Sequence, residues 1–192
     1  MSRSDKPAPR WVPIRTLGER HRQRVLQHLL ALPVADRVLR FGHVAGDEMI
    51  ANYVAGINFI DDDVFGVFDR RLQLVAMAHL ARPAADPPTA EFGVSVDASQ
   101  RGRGIGGRLF ERAVMHARNR GVQTLLVYIA RDNVPMLALA RRAGGTVQFE
   151  GSEGLARLAL PADTLGSQIE ELFDQQAAEF DYRLKMHTLR IA

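Results

Sequence analysis

The chain has 192 residues, 46% hydrophobic and 24% charged, a globular composition with room for one domain and an appendage, or two small domains. A formal charge of +3 is too mild to argue for nucleic acid, and the absence of cysteine excludes disulfides, thiolate metal sites and a cysteine nucleophile. The polar start, residues 1–9, is no secretory signal, and the most apolar stretch, residues 125–130, is too short to span a bilayer; the expectation is a cytoplasmic protein with no membrane partner.

Residues 1–10 hold two prolines and mixed charges and read as a disordered arm. Residues 11–17 read as a short strand. Residues 19–32 place Val25, Leu26, Leu29 and Leu30 on one helical face, and Pro33 stops that helix. A second helix is expected over residues 47–57, from Met49, Ile50, Tyr53, Val54 and Ile57. After Asp61-Asp62-Asp63 the period changes, and residues 64–69 and 72–81 form a strand hairpin across Arg70-Arg71. The proline-rich loop 82–89 leads to a strand over 90–97, with Glu91, Gly93 and Ser95 on one face and Phe92, Val94 and Val96 on the other.

Residues 105–120 form a helix with Ile105, Leu109, Ala113 and Ala117 in one row, capped by Gly121. Residues 124–130 are a continuous apolar run, the pattern of a strand buried on both faces. A helix over 133–143 closes at Gly144-Gly145, and a hairpin over 146–160 turns at residues 151–154. In the tail, Ile169, Leu172, Phe173, Ala177 and Phe180 lie on one stripe of an acidic helix; packing on its own sheet or exchange with a second subunit would cover it, so monomer and homodimer both stand. These elements compose an α/β (α+β) fold with a mixed, mostly antiparallel sheet of six to seven strands.

The chemistry gathers at the turn between the strand and the helix that follows it. There Arg101-Gly102-Arg103-Gly104-Ile105-Gly106-Gly107 opens a helix, with Arg108 next. Glycines let the backbone approach a ligand closely, and the helix N-terminus turns its amides and partial positive charge on one point, a cradle suited to a pyrophosphate. Arg101, Arg103 and Arg108 add charge for an anion of modest size. A plain mobile turn is the bland alternative. A sharper one is the dinucleotide fingerprint Gly102-x-Gly104-x-x-Gly107, against which stand residues 97–101 between strand and first glycine and the lack of several parallel strands downstream.

Arg101-x-x-Gly104-x-Gly106 after a strand, followed by Asn133, Leu139 and Gly144, resembles the acetyl-CoA motif of the GNAT superfamily of N-acetyltransferases. The resemblance implies a catalytic domain over residues 11–161, with 162–192 as a C-terminal helical extension. It implies acetyl-CoA as co-substrate and no metal. Val94 and Val96, with Ser95 between them, would meet the pantetheine arm; residues 101–107 and Arg108 would hold the diphosphate; Asn133 would hydrogen-bond pantetheine or phosphate.

Acyl transfer needs a neutral amine, and a lysine-like amine has a pKa of about 10.4, so the site must accept protons. Glu91 is the first candidate for base, on the strand that carries the cofactor segment; an exposed strand-end carboxylate is the plain reading. His79 is a second candidate beside a structural histidine. Many members of the family carry an acid tyrosine seven residues after the asparagine; here that position is Ala140, and the following glycine is succeeded by Gly145. Tyr128 is the candidate substitute, with a core tyrosine as alternative. On the acceptor side the early region offers Arg37, Arg40, Tyr53 and the three aspartates, the latter as a lure for a cationic amine or a solvated turn. The expected acceptor is a primary amine of a small molecule; a protein lysine or N-terminus, or an acyl-CoA-sensing role without catalysis, are the alternatives.

Overall fold

A computed structural model describes residues 12–83, 88–161 and 165–191; the expected arm 1–10 and residue 11 of the first expected strand lie outside the described residues. In chain order come β1 (Arg15–Leu17), a 3-10 turn (Glu19–His21), α1 (Arg22–Leu30), α2 (Val34–Phe41), α3 (Asp47–Gly56), β2 (Asp63–Phe68), β3 (Leu74–Ala81) and β4 (Thr89–Val96). A second 3-10 turn (Ala98–Gln100) leads to α4 (Ile105–Asn119), β5 (Thr124–Ala130), α5 (Val134–Arg142), β6 (Thr146–Glu150), β7 (Glu153–Ala159) and α6 (Leu165–Ile191). The strands form one seven-stranded sheet in the order β1-β2-β3-β4-β5-β7-β6. Every pairing is antiparallel except β4 with β5. A single parallel pair rules out the doubly wound sheet that a dinucleotide fingerprint requires.

Three α-helices, not two, separate the first and second strands. The unforeseen one is α2, and none of its residues is buried, so its sequence carries no core stripe to read. Pro33 ends the preceding helix as expected and also starts this one, its carbonyl accepting from the amides of Asp36 and Arg37. Strand β5 is not buried on both faces: Leu125, Val127 and Ile129 are 0–2% exposed, whereas Tyr128 between them is 60% exposed. The hairpin turn is tighter than expected, with Glu150 already opposite Glu153 and Gly151 at φ +61°.

Each sheet face carries its own helical layer. On one, Val25 and Leu29 of α1 and Ile50 and Val54 of α3 pack on Val64, Phe68, Leu74 and Met77. On the other, α4 lays Ile105, Leu109, Ala113 and Ala117 on Phe65, Ala78, Phe92 and Leu125, joined by Met136, Leu137 and Ala140 of α5. Ala113 and Ala117 are fully buried, so α4 sits close to the sheet where a larger side chain would hold it off. Burial of Leu109 alone contributes roughly 1.5–3 kcal/mol.

The tail helix docks by a different face from the expected stripe. Glu171, Ala178 and Tyr182 face the domain, while Leu172, Phe173 and Phe180 are exposed. Polar anchors decide the orientation. Glu171 meets Arg112, His116 and Asn119 of α4, Glu179 pairs with Arg15 at 2.8 Å, and Lys185 donates to the Phe68 carbonyl at 2.9 Å.

Candidate active site

The parallel pairing of β4 with β5 runs only from Thr89↔Thr124 to Glu91↔Leu126. Beyond it the two strands diverge, and β4 stays on β3 as far as Val96. The Asp97 amide donates to the Val75 carbonyl at 2.9 Å. By the two-residue alternation of a strand, the main-chain groups of Ser95 and Gly93 also point to β3, and those of Val96, Val94 and Phe92 point into the splay. Val94 and Val96 thus present backbone groups where a linear ligand can add to the sheet. Ser95 does not: its hydroxyl lies 2.8 Å from His28 Nε2, on the face covered by α1.

At the top of the splay the glycine loop enters α4. Gly102 and Gly104 have φ of +74° and +76°, a region that side chains resist. Gly104 is the N-cap and supplies no side-chain cap. Among the described residues, the first amide of this helix to find a backbone acceptor is that of Arg108, on Gly104 O at 3.0 Å, leaving the amides of Ile105, Gly106 and Gly107 for another partner. A Cβ at Gly106 or Gly107 would meet only ordinary contacts, Val96 Cγ2 at 3.7 Å and Leu139 Cδ2 at 3.5 Å. The fold itself therefore does not require glycine at either position. Arg103 is exposed beside them, and Arg108 is held loosely by Glu111 at 3.4 Å. Arg101 departs from the expectation: its guanidinium pairs with Asp36 of α2 at 2.5 Å and donates to Val96 O at 3.2 Å, strapping the loop to α2.

Below the splay opens a cavity of about 230 Å³, which gathers Arg40, Tyr53, His79, Glu91, Val94, Tyr128 and Asn133 from six different elements or their caps. Asn133 caps α5, its Oδ1 accepting from the Met136 amide at 3.2 Å, which leaves its Nδ2 as the group it offers the cavity. Glu91 and Tyr128, both exposed, line the same wall. Tyr128 is therefore not a core tyrosine. Ala140, in place of the family's acid, is fully buried, and a Cβ on Gly145 would lie 2.9 Å from its carbonyl oxygen.

The acceptor side holds a network whose parts the sequence named without a role. Arg40 Nη2 donates to Tyr53 Oη at 2.6 Å, Tyr53 Oη lies 2.6 Å from His79 Nδ1, and His79 Nε2 lies 3.2 Å from Asp62 Oδ2. Gly93 makes room for it: a Cβ there would sit 2.4 Å from Arg40 Nη1. Burial holds the His79 pKa below its ordinary 6.5, with Arg40 adding to the effect against the pull of Asp62. Asp62 also accepts from the Arg82 amide, and Asp63 is buried among His116, Arg120 and Arg82. Those two aspartates are interior partners, not a solvated turn; Asp61 alone is exposed.

Residues 40–145 match the model of the acetyltransferase (GNAT) family. The chain belongs to that family. That family is one of acetyltransferases. A stretch of 63 residues is 36% identical to YwnH of Bacillus subtilis (strain 168), provisionally named a phosphinothricin acetyltransferase; it spans 33% of this chain and 38% of that protein. Among solved structures, the GNAT domain of S. lividans PAT is similar with a TM-score of 0.64 at 19% identity, over 77% of this chain and 89% of that one. A provisionally named acetyltransferase of Salmonella typhimurium, yncA, solved with its cofactor acetyl-CoA, has a TM-score of 0.58 at 16% identity, over 79% of this chain and 95% of that one. At such identities these structures speak for the fold. No helix among the described residues is long and apolar enough to cross a membrane.

Proposed function

We propose that the enzyme moves an acetyl group from acetyl-CoA to a primary amine of a small-molecule acceptor by direct attack within a ternary complex. The observation that carries this reading is the meeting of two sites at one place. The splay and the uncapped start of α4 suit a pantetheine diphosphate, and the 230 Å³ cavity holding a carboxylate and two phenols opens where that ligand's thioester would lie. A cavity of that size suits a small acceptor better than a folded protein surface, and the partial likeness to YwnH agrees with it.

In this reading residues 11–161 are the catalytic domain and 162–192 an extension that braces α4. The amides of residues 105–107, with Arg103 and Arg108, hold the diphosphate. The backbone of Val94 and Val96 pairs with the pantetheine arm, and Asn133 Nδ2 donates to it. The Val94 or Val96 amide stabilises the oxyanion of the tetrahedral intermediate. Glu91, at the cavity rim, takes the first proton of the arriving ammonium, directly or through water, and Tyr128 supplies a proton to the departing thiolate.

The test combines a thermal shift screen with acetyl-CoA, CoA, NAD and nucleotides, and a free-thiol assay over a panel of amines. Stabilisation by acetyl-CoA and CoA alone, with thiol release dependent on one amine class, is the expected outcome. Stabilisation by NAD instead, or no response to CoA, refutes the site. Acetylation of peptide acceptors alone would refute the small-molecule assignment while keeping the chemistry.

A further inference from the structure

Building on that reading, we infer that Tyr53 is a catalytic residue, the mouth of a relay Tyr53–His79–Asp62 that removes the second amine proton when the nitrogen attacks the thioester.

The direction of the relay is assigned from its two ends. An arginine has only donors, so the 2.6 Å contact of Arg40 Nη2 with Tyr53 must use a lone pair of Oη. The tyrosine's own hydrogen is then free to point along its other short contact, 2.6 Å to His79 Nδ1. At the other end a carboxylate can only accept, so the neutral imidazole is assigned its hydrogen on Nε2, which faces Asp62 Oδ2 at 3.2 Å, and Nδ1 is the acceptor. The Nε2 contact is close but poorly aligned as a hydrogen bond, and Nε2 is buried. Protonation at Nδ1 creates an imidazolium whose positive Nε2–H lies against a carboxylate.

The reaction needs such a group. An ammonium loses one proton to become a nucleophile and a second once its nitrogen has bonded to the acetyl carbon. Glu91 is placed for the first. In the second step the C–N bond forms, the nitrogen proton passes to Tyr53 Oη, and the Tyr53 hydrogen passes to His79 Nδ1. The C–S bond then breaks, the thiolate takes a proton from Tyr128, and relay and Tyr128 re-equilibrate with water. Overall an ammonium and acetyl-CoA give an amide, CoA thiol and one released proton. The groups facing His79 are Tyr53 from α3, Arg40 from α2, and Asp62 and Asp63 at the start of β2, with Glu91 of β4 across the cavity. Arg40 opposes its protonation and the two aspartates favour it.

The experiment uses the full chain with acetyl-CoA and the amine panel, comparing wild type with Tyr53→Phe, His79→Gln and Asp62→Asn over pH 5 to 9. Tyr53→Phe keeps the ring and removes the transferable hydrogen. Loss of general-base assistance is worth about 10²–10⁴-fold in kcat. We expect Tyr53→Phe and His79→Gln to lose kcat on that scale, with KM for acetyl-CoA unchanged and the acidic limb of the pH profile abolished, and Asp62→Asn to lose less. Nitrogen-15 NMR of the resting protein should show His79 neutral with its hydrogen on Nε2. A Tyr53→Phe enzyme within threefold of wild type with its acidic limb intact overturns the relay. So does the Nδ1–H tautomer, or a wild type that binds acetyl-CoA and acetylates nothing in the panel. Absence of CoA binding would instead sink the proposed function itself.

Discussion

Gly106→Ala separates what the fold wants from what a ligand wants, because the two predict opposite signs. The added Cβ meets Val96 Cγ2 at 3.7 Å, an ordinary contact, so no strain opposes it. Replacing a glycine inside a helix by alanine gains about 0.5–1 kcal/mol through propensity, with the smaller figure apt for a first turn. For a chain of this size that raises Tm by roughly 1–4 °C. The same methyl is expected to crowd a phosphate resting on the neighbouring α4 amides. Each hydrogen bond lost to a charged group is worth about 1.5–3 kcal/mol, or about 10- to 100-fold in affinity. Differential scanning fluorimetry without ligand and calorimetric titration with CoA measure both sides. The expected result is a protein that melts higher and binds CoA at least tenfold more weakly, with Gly107→Ala behaving alike beside Leu139 Cδ2 at 3.5 Å. Wild-type CoA affinity in both variants would refute the argument that these glycines are kept for a diphosphate.

Gly93→Ala pushes its methyl against the Arg40 guanidinium, whose nearest atom would lie 2.4 Å away, and a flexible side chain yields. Stability should change by less than about 1 kcal/mol while turnover falls tenfold or more, since Arg40 no longer orients Tyr53; a Tm loss without a loss of turnover contradicts this. Ala140→Tyr should destabilise the enzyme by about 1–3 kcal/mol from overpacking and restore no activity to a Tyr128→Phe variant, because position 140 is fully buried in the α5 core. The His116 clasp on the tail helix should be pH-dependent. Burial opposes charge on His116, but hydrogen bonds to Asp63 and Glu171 outweigh it and raise its pKa above 6.5; burial of Asp63 and Glu171 is likewise outweighed, chiefly by His116, and theirs fall below 3.8 and 4.5. A raised histidine stabilises fully below pH 6.5 and fades as pH climbs through its folded value, and the depressed carboxylates stabilise above about pH 4.5 and fade as pH falls through theirs. Urea melts should therefore show the clasp strongest between about pH 4.5 and 6.5, and His116→Gln should remove the extra loss seen at pH 8.5.

The features that could be read from the sequence are those whose cause is local. The row Ile105, Leu109, Ala113, Ala117 announces α4 because one face of it is wholly buried, and Gly102 and Gly104 announce the turn because only their φ values permit it. Helix α2 could not be read in the same way, since none of its residues is buried and only Phe41 at its end packs against the core; it is held by polar bonds such as Arg101 to Asp36 and Arg37 to the Leu30 and Leu32 carbonyls. Strand β5 misled for a related reason. Its second face carries Leu126, Tyr128 and Ala130, apolar enough to look buried, because it borders a ligand cavity in place of a protein layer. The alternation on β4 was legible, but how far the cavity reaches along it was not: Glu91 and Gly93 border it, whereas Ser95 on the same face is covered by α1. The partners of Asp62 and Asp63, as distant as His79 and His116, exist only once the sheet and α4 have formed.

The same sheet face shows why residue types alone do not make a reactive site. His28 lies 2.8 Å from Ser95 Oγ and 3.3 Å from Asp97 Oδ1, the serine–histidine–aspartate order of a nucleophilic triad. Yet Ser95 is 7% exposed and borders neither the cavity that holds Glu91 and Tyr128 nor the groove beside His28. His28 Nδ1 also lies 3.1 Å from the Leu74 carbonyl, which can only accept, so the imidazole bridges α1 to β3 and β4 with its Nε2 lone pair spent on a hydroxyl that no cavity reaches. The His79 network differs in one respect that decides its chemistry. Its hydroxyl end, Tyr53, opens on the cavity, and an arginine donates to that hydroxyl. A polar network buried at every point specifies packing, and one open at a single end can move a proton.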